Sequence, residues 1–321
     1  MGDPKEGTMK QRRWPWVVLG AIATLVLVCG LCTSGAFLAA LLSGGRELGF
    51  GEAVGIVRVE GPIVAGRGSP FGAVTAAYSE QVVEHLRRAG QDPMVRAVVL
   101  RVDSPGGSVV ASDEIYHELL ALKAKKPVVV SMGEMAASGG YYIACAADKI
   151  VANPATLTGS IGVIAMAPNV EELMGKIGVE MVVIKSGALK DQLSPFREMT
   201  KEERELWQEI IGEAYEQFVE IVAQGREMEV EEVRELADGR VYTGRQAWEL
   251  DLVDELGNLP EAIDLAAELG GIVGKPRIVE YRRPPTLLEV LMGALARQPL
   301  TLDQFLGTER RFSLQYLYVE P

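Results

Sequence analysis

Ser138 stands in Met-Ala-Ala-Ser-Gly-Gly-Tyr-Tyr (135–142), directly behind the apolar run Pro-Val-Val-Val-Ser-Met-Gly (127–133). A strand that feeds a glycine-flanked serine at the start of a helix is a place for a nucleophile. A serine hydroxyl is inert at neutral pH until a base takes its proton, and the oxyanion that follows needs preorganised N–H donors. The chain has only two histidines, His85 and His117, each inside a charged amphipathic stretch, so a Ser-His-Asp triad is poorly supported. Lysine is the other common base. Lys190 lies in Lys-Ser-Gly-Ala-Leu-Lys-Asp (185–191), behind the strand-like Met-Val-Val-Ile (181–184), which puts it in a loop at a strand end. Such a lysine works only if its pKa falls from about 10.4 to about 7–8, through burial beside apolar groups and distance from carboxylates. Asp191 next door must then turn its side chain away. For the oxyanion, the buried run Val-Val-Leu-Arg-Val-Asp (98–103) enters Ser-Pro-Gly-Gly-Ser (104–108) ahead of a helical stretch, a tight strand-to-helix turn with free N–H groups. The N–H groups of Gly107 and Gly139 are the expected pair.

The elements that must position these residues are legible as an alternation. Apolar strand candidates fall at 54–59, 97–102, 127–131, 149–152, 161–165 and 180–184, between helical stretches at 76–89, 110–124, 138–147 and 169–177. This is an α/β pattern. A long amphipathic helix is expected over 201–225, opened by Thr200 as N-cap with Glu203 as the capping-box partner. Its broad apolar stripe, from Leu206 to Val222, covers the sheet or packs on another subunit. Asp-Gly-Arg-Val-Tyr-Thr-Gly (238–244) reads as a turn before a helix at 245–250, with Arg240 in a structural salt bridge.

Five motifs occur in order: Asp-Ser-Pro-Gly-Gly (103–107), Met-Ala-Ala-Ser-Gly-Gly-Tyr-Tyr (135–142), Leu-Thr-Gly-Ser-Ile-Gly-Val (157–163), Lys-Ser-Gly-Ala-Leu-Lys-Asp (185–191) and Asp-Gly-Arg-Val-Tyr-Thr-Gly (238–244). Over roughly 54–268 the chain thereby resembles the signal peptide peptidase A family, peptidase family S49, in its short single-module bacterial form. The resemblance implies that Ser138 is the nucleophile, Lys190 the general base, and Ser160 the residue that orients the lysine. It implies a Clp protease/crotonase-like spiral of ββα units, and ring-like homo-oligomers in which serine and lysine come from one chain or from neighbours. It also implies apolar, membrane-derived peptides such as signal peptide remnants as substrates, cleaved by a serine endopeptidase that requires no cofactor. Two other classes stay open: a crotonase-like acyl-CoA enzyme that keeps the oxyanion turns, and a non-catalytic membrane scaffold of the same fold.

Residues 14–42 hold no charged side chain over 29 positions, longer than the roughly 20 residues that a membrane-crossing helix needs. They are expected to form a transmembrane helix rather than a cleaved signal, although Ser34-Gly35-Ala36 is a small-residue processing candidate. Lys5, Lys10, Arg12 and Arg13 precede it against Asp3 and Glu6, so the N-terminus is expected to be cytoplasmic and the catalytic domain extracytoplasmic, at the cell membrane. The organisation expected is thus a cytoplasmic segment 1–13, a span 14–42, a linker 43–53, a catalytic domain 54–268 and a C-terminal extension 269–321. Beyond residue 13 the chain carries 28 basic and 42 acidic residues, which argues against nucleic acid as a partner. Cys29 and Cys32 fall in the span and Cys145 in the domain, so no disulfide framework is expected, and Cys145 reads as a small core residue. No cysteine or histidine cluster has metal-ligand spacing. The tail ends in Leu-Gln-Tyr-Leu-Tyr-Val-Glu-Pro (314–321), an extended strand-former. Among the membrane, a neighbour and the substrate groove, the groove is the place expected for it, as an internal peptide mimic bound by β-addition.

Overall fold

The computed structural model describes residues 51–68, 76–281 and 315–317. The span 14–42 and the processing candidate lie outside the described residues. Among those described, no helix is long and apolar enough to cross a membrane.

The architecture is mixed α/β around a parallel sheet. Strands β1 (Ala53–Glu60), β4 (Val95–Ser104), β6 (Val128–Ala137), β7 (Lys149–Ala152), β10 (Glu255–Leu256) and β11 (Arg277–Tyr281) lie in the order β10-β7-β6-β4-β1-β11. Adjacent members are parallel. Their near-continuous valine, leucine and isoleucine runs suit strands covered on both faces. Helix α8 (Leu259–Leu269) covers one face, where Ala262, Ala266 and Ala267 pack with Val54, Ile56, Ala97, Val99, Val129 and Val151. Helices α1 (Ser79–Gln91), α2 (Val109–Lys123), α3 (Gly139–Ala144) and α5 (Lys201–Arg226) contribute to the larger core on the other face.

Strand β6 does two jobs. Its first half pairs β4 and β7, whereas Met135, Ala136 and Ala137 pair with β8 (Leu157–Gly159). A register shift between Val102 and Ser104 marks the change. Thr156 and Thr158 hydroxyls fasten it, donating to the carbonyls of Gly133 and Ala136 at 2.7 Å each. Strand β9 (Val241–Thr243) closes the layer antiparallel to β8. A second small sheet joins β2 (Ile63–Val64), β3 (Ala77–Tyr78), β5 (Gly106–Ser108) and β12 (Gln315–Leu317) in the order β12-β5-β2-β3.

Four expected strands appear within a few residues, but two do not. Of 161–165 only Ile164 makes a bridge, because the pairing partner of β6 lies earlier, at 157–159. Residues 180–184 form no strand: the sequence has the side chains for one, but no described residues pair with it. In between, α4 is a single short helix (Glu171–Lys176) with no buried residue. Helix α5 follows expectation, with both halves of the Thr200/Glu203 capping box formed.

Candidate active site

Ser138 closes β6 with φ 53° and ψ −117°, a left-handed backbone conformation that a non-glycine residue adopts only when its surroundings hold it there. Its N–H donates to the Gly159 carbonyl at 2.8 Å, and the N–H groups of Tyr141 and Tyr142 donate back to its own carbonyl at 2.9 and 2.8 Å. The serine is thus pinned at the sharp corner between β6 and α3, and it is 1 % exposed.

The two glycines after it are required by space. A Cβ on Gly139 would lie 2.6 Å from Ser112 Oγ and 3.2 Å from the Gly107 nitrogen, and one on Gly140 would lie 2.9 Å from the Ser104 carbonyl oxygen. Gly107 is equally confined, since a Cβ there would fall 1.9 Å from the Ile63 carbonyl oxygen. The Ser-Pro-Gly-Gly turn is itself tied, with Gly106 N–H donating to Ser104 Oγ at 3.1 Å and Ser112 Oγ donating to the Ser108 carbonyl at 3.0 Å. The fold therefore brings Ser138, Gly139 and Gly107 together at one corner, in the arrangement from which two backbone amides can serve a developing oxyanion.

Tyr141 and Tyr142 hold that corner from beneath. Both are fully buried. Tyr141 donates to the Leu252 carbonyl at 2.9 Å. Tyr142 donates to Asp113 Oδ1 at 2.7 Å, accepts from Gln217 Nε2 at 2.9 Å, and stacks edge-on against Tyr116 and Phe218. Sequence reading quotes the two tyrosines but misses these anchors, because Asp113 and Gln217 are 29 and 75 residues away from Tyr142. Cys145, just past α3, is buried, and burial pushes its thiol up to about 12, so it stays protonated and unreactive at neutral pH.

Ser160 is joined to Ser138 through Gly159. It too has positive φ, 49°, and its N–H donates to the Arg240 carbonyl at 2.8 Å. The ring of Tyr242 fills the space above Gly159, where a Cβ would lie 2.5 Å from it. The Asp-Gly-Arg-Val-Tyr-Thr-Gly motif thus braces the serine corner with its backbone, while the Arg240 side chain forms a salt bridge with Asp238.

Lys190 is placed differently. It lies on a 3-10 turn (Ala188–Asp191), exposed, and among the described residues no hydrogen bond or ion pair holds its side chain or joins it to Ser138. The apolar run before it is also exposed: Val179 45 %, Met181 47 %, Val182 76 %, Val183 47 % and Ile184 97 %. Asp191 has turned away from Lys190. Its carboxylate accepts from Lys185 Nζ at 2.6 Å and from Arg197 Nε and Nη2 at 3.0 and 2.8 Å, and these cations hold it well below the usual carboxylate range.

The tail strand β12 reaches the same corner. It pairs antiparallel with β5, Tyr316 opposite Gly107, Gln315 opposite Ser108 and Leu317 opposite Gly106, and it also contacts α3.

Comparison with known proteins agrees with this geometry. Residues 120–272 match the model of Peptidase family S49, and residues 71–158 match that of Clp protease. The chain is 47 % identical over 239 residues to "Putative protease slr0021" of Synechocystis sp., covering 74 % of this chain and 86 % of that one. It is 36 % identical to "Serine protease SPPA, chloroplastic" of Arabidopsis thaliana, over 83 % of this chain and 39 % of that protein. To "Putative signal peptide peptidase SppA" of Enterococcus faecium it is 44 % identical, over 65 % of this chain and 61 % of the other. The chain spans about two fifths of the Arabidopsis protein's length.

Proposed function

The chain belongs to peptidase family S49 and is a serine protease, and from that premise we propose that it is an endopeptidase in which Ser138 and Lys190 form a catalytic dyad acting on apolar, membrane-derived peptides such as signal peptide remnants. The observation that carries this reading is the strained Ser138 corner pressed against the Gly106–Gly107 turn, with no histidine in either motif. Lys190 Nζ takes the proton from Ser138 Oγ, which attacks the scissile carbonyl carbon. The N–H groups of Gly107 and Gly139 hold the oxyanion, and Ser160 orients the lysine. Collapse of the intermediate breaks the C–N bond, and the leaving amine takes the proton from Lys190. Water, deprotonated by Lys190, then attacks the acyl-enzyme and frees Ser138. Every step uses side chains and backbone of the protein itself, without a cofactor.

The lysine comes from a second copy of the chain. An exposed apolar sequence of strand-forming type, unpaired among the described residues and ending six residues before Lys190, is the surface that a neighbouring subunit would cover. Mixing Ser138→Ala and Lys190→Ala chains during assembly tests this. Each homogeneous variant is inactive. If serine and lysine come from different subunits, the mixture regains about a quarter of its sites, whereas a dyad within one chain regains none.

The catalytic domain spans 54–268, a Clp-like spiral of ββα units whose sheet is completed by β11 from the extension, anchored by the span 14–42 with segment 1–13 in the cytoplasm and the domain outside, joined by the linker 43–53. The extension 269–321 returns its end to the site. Antiparallel pairing of residues 315–317 with β5 supports both β-addition as the mode of peptide capture and the tail as an internal peptide mimic.

A further inference from the structure

Lys190 sits on a four-residue 3-10 turn with no buried side chain, and so short a turn cannot hold its own geometry. What holds it is electrostatic. Lys185 Nζ spans the turn, donating to the Ala188 carbonyl at 2.9 Å and to Asp191 Oδ1 at 2.6 Å, and so closes the loop that displays Lys190. Arg197 then grips the far end. Its Nε and Nη2 take the Asp191 carboxylate in a fork, and Nη2 also reaches the Asp191 carbonyl at 3.2 Å. Its Nη1 donates to the Glu198 carbonyl and to Glu203 Oε2, both at 2.9 Å, and Nη2 meets Glu203 Oε1. Glu203 is 1 % exposed and belongs to the capping box of α5, whose later turns carry Phe218, Val219 and Val222 into the core. Glu171, from the neighbouring short helix, accepts the Glu198 N–H at 3.0 Å and faces the same junction.

From this arrangement we propose that the Lys185–Asp191–Arg197–Glu203 network is the positioning device of the catalytic lysine: it fixes the Lys190 turn to the end of α5 and keeps the adjacent carboxylate away from the lysine. The proposal rests on the reading of Lys190 as general base. Its chemical point is that a lysine must be neutral to accept a proton, and an unpaired carboxylate beside it would favour the charged ammonium. Two cations occupy both Asp191 oxygens, so that carboxylate is spent. Arg suits the place better than Lys, because only a planar fork bridges Asp191 and Glu203 at once.

The test is the pH dependence of kcat/KM for an apolar fluorogenic peptide, using the full chain in detergent, with assembly size checked for each variant. Arg197→Met strips the fork from Asp191 and leaves only Lys185 on its carboxylate, so the acid limb is expected to move up by about one pH unit and the plateau to fall at least about tenfold through loss of position. Adding Asp191→Asn to Arg197→Met should return the limb to its wild-type place while the plateau stays low. Arg197→Lys should fall between, and with Asp191→Asn alone it carries the test if Arg197→Met fails to assemble. The single Asp191→Asn variant should lower the plateau without raising the limb. An unchanged plateau and limb in Arg197→Met, or a raised limb that Asp191→Asn does not restore, would overturn the proposal while Lys190→Ala remains inactive. Full activity in Lys190→Ala would instead remove the dyad reading beneath it.

Discussion

At the residue scale the chemistry depends on where a side chain is forbidden as much as on where one is present. Gly107→Ala would drive a methyl group into the Ile63 carbonyl, so we expect loss of turnover together with a lower Tm, measured by peptide hydrolysis and thermal unfolding. Alanine keeps the backbone N–H, so the loss would come from displacing that donor, whose removal costs about 10²–10³ in kcat; a Gly107→Ala protein with wild-type kcat and Tm would contradict the close packing of this turn. Cys145 makes a contrasting prediction. With its thiol pushed up to about 12, a thiol-alkylating reagent at pH 8 should leave both Cys145 and peptide turnover untouched, as mass spectrometry and the assay would show. Much of this scale was readable in advance. Ser138, Gly139 and Gly107 sit at strand ends marked by glycine, and glycine there has a local meaning. The Tyr142–Asp113–Gln217 hydrogen bonds were not readable, since their partners meet only once α2, α3 and α5 have packed.

At the element scale the helix with strong local signals formed as read. Thr200 and Glu203 announce the start of α5, and replacing Thr200 by alanine should cost about 1 kcal/mol in chemical denaturation through loss of its cap. The same junction has a signed pH dependence. Hydrogen bonds from Arg197, and then from Thr200, hold the Glu203 carboxyl at about 2, below its ordinary value of 4.5. A depressed carboxylate stabilises the fold above its unfolded pKa and loses that contribution as pH falls through the folded one. Wild-type stability should therefore drop between about pH 4.5 and 2 more steeply than that of Glu203→Gln, compared by denaturant titration across that window; equal slopes would contradict the assignment. Strands were less legible than this helix, for a physical reason. A strand is completed by its neighbour, and 180–184 has β-branched residues but no pairing neighbour among the described residues. Strand β11 was missed because its five residues alternate between exposed and half-buried positions until Tyr281, so they lack the continuous apolar run of β1 and β4.

At the scale of the whole molecule, the proposed assembly and the placement of the tail bear on the site. Val182→Lys with Ile184→Lys places charge on the exposed run before Lys190 and should abolish both assembly and turnover while leaving the Tm of the chain nearly unchanged, since neither side chain is buried in it. A charged variant that assembles and turns over normally would move the subunit contact elsewhere. Truncation after residue 283 removes the strand opposite Gly107 and should raise peptide turnover without altering oligomer size, whereas unchanged turnover would deny the tail its place in the groove. The extended character of the tail and its expected place beside the site were read from the sequence; its register on β5 is a product of the fold. The central claim, a serine nucleophile served by lysine, is tested most directly by hydrolysis of an apolar fluorogenic peptide by the full chain, compared with Ser138→Ala and Lys190→Ala at matched oligomer size and with fluorophosphonate as a covalent probe. No turnover is expected in either variant, and labelling only where Ser138 is present; turnover that survives either substitution, or labelling without Ser138, would show that Ser138 and Lys190 are not the catalytic pair.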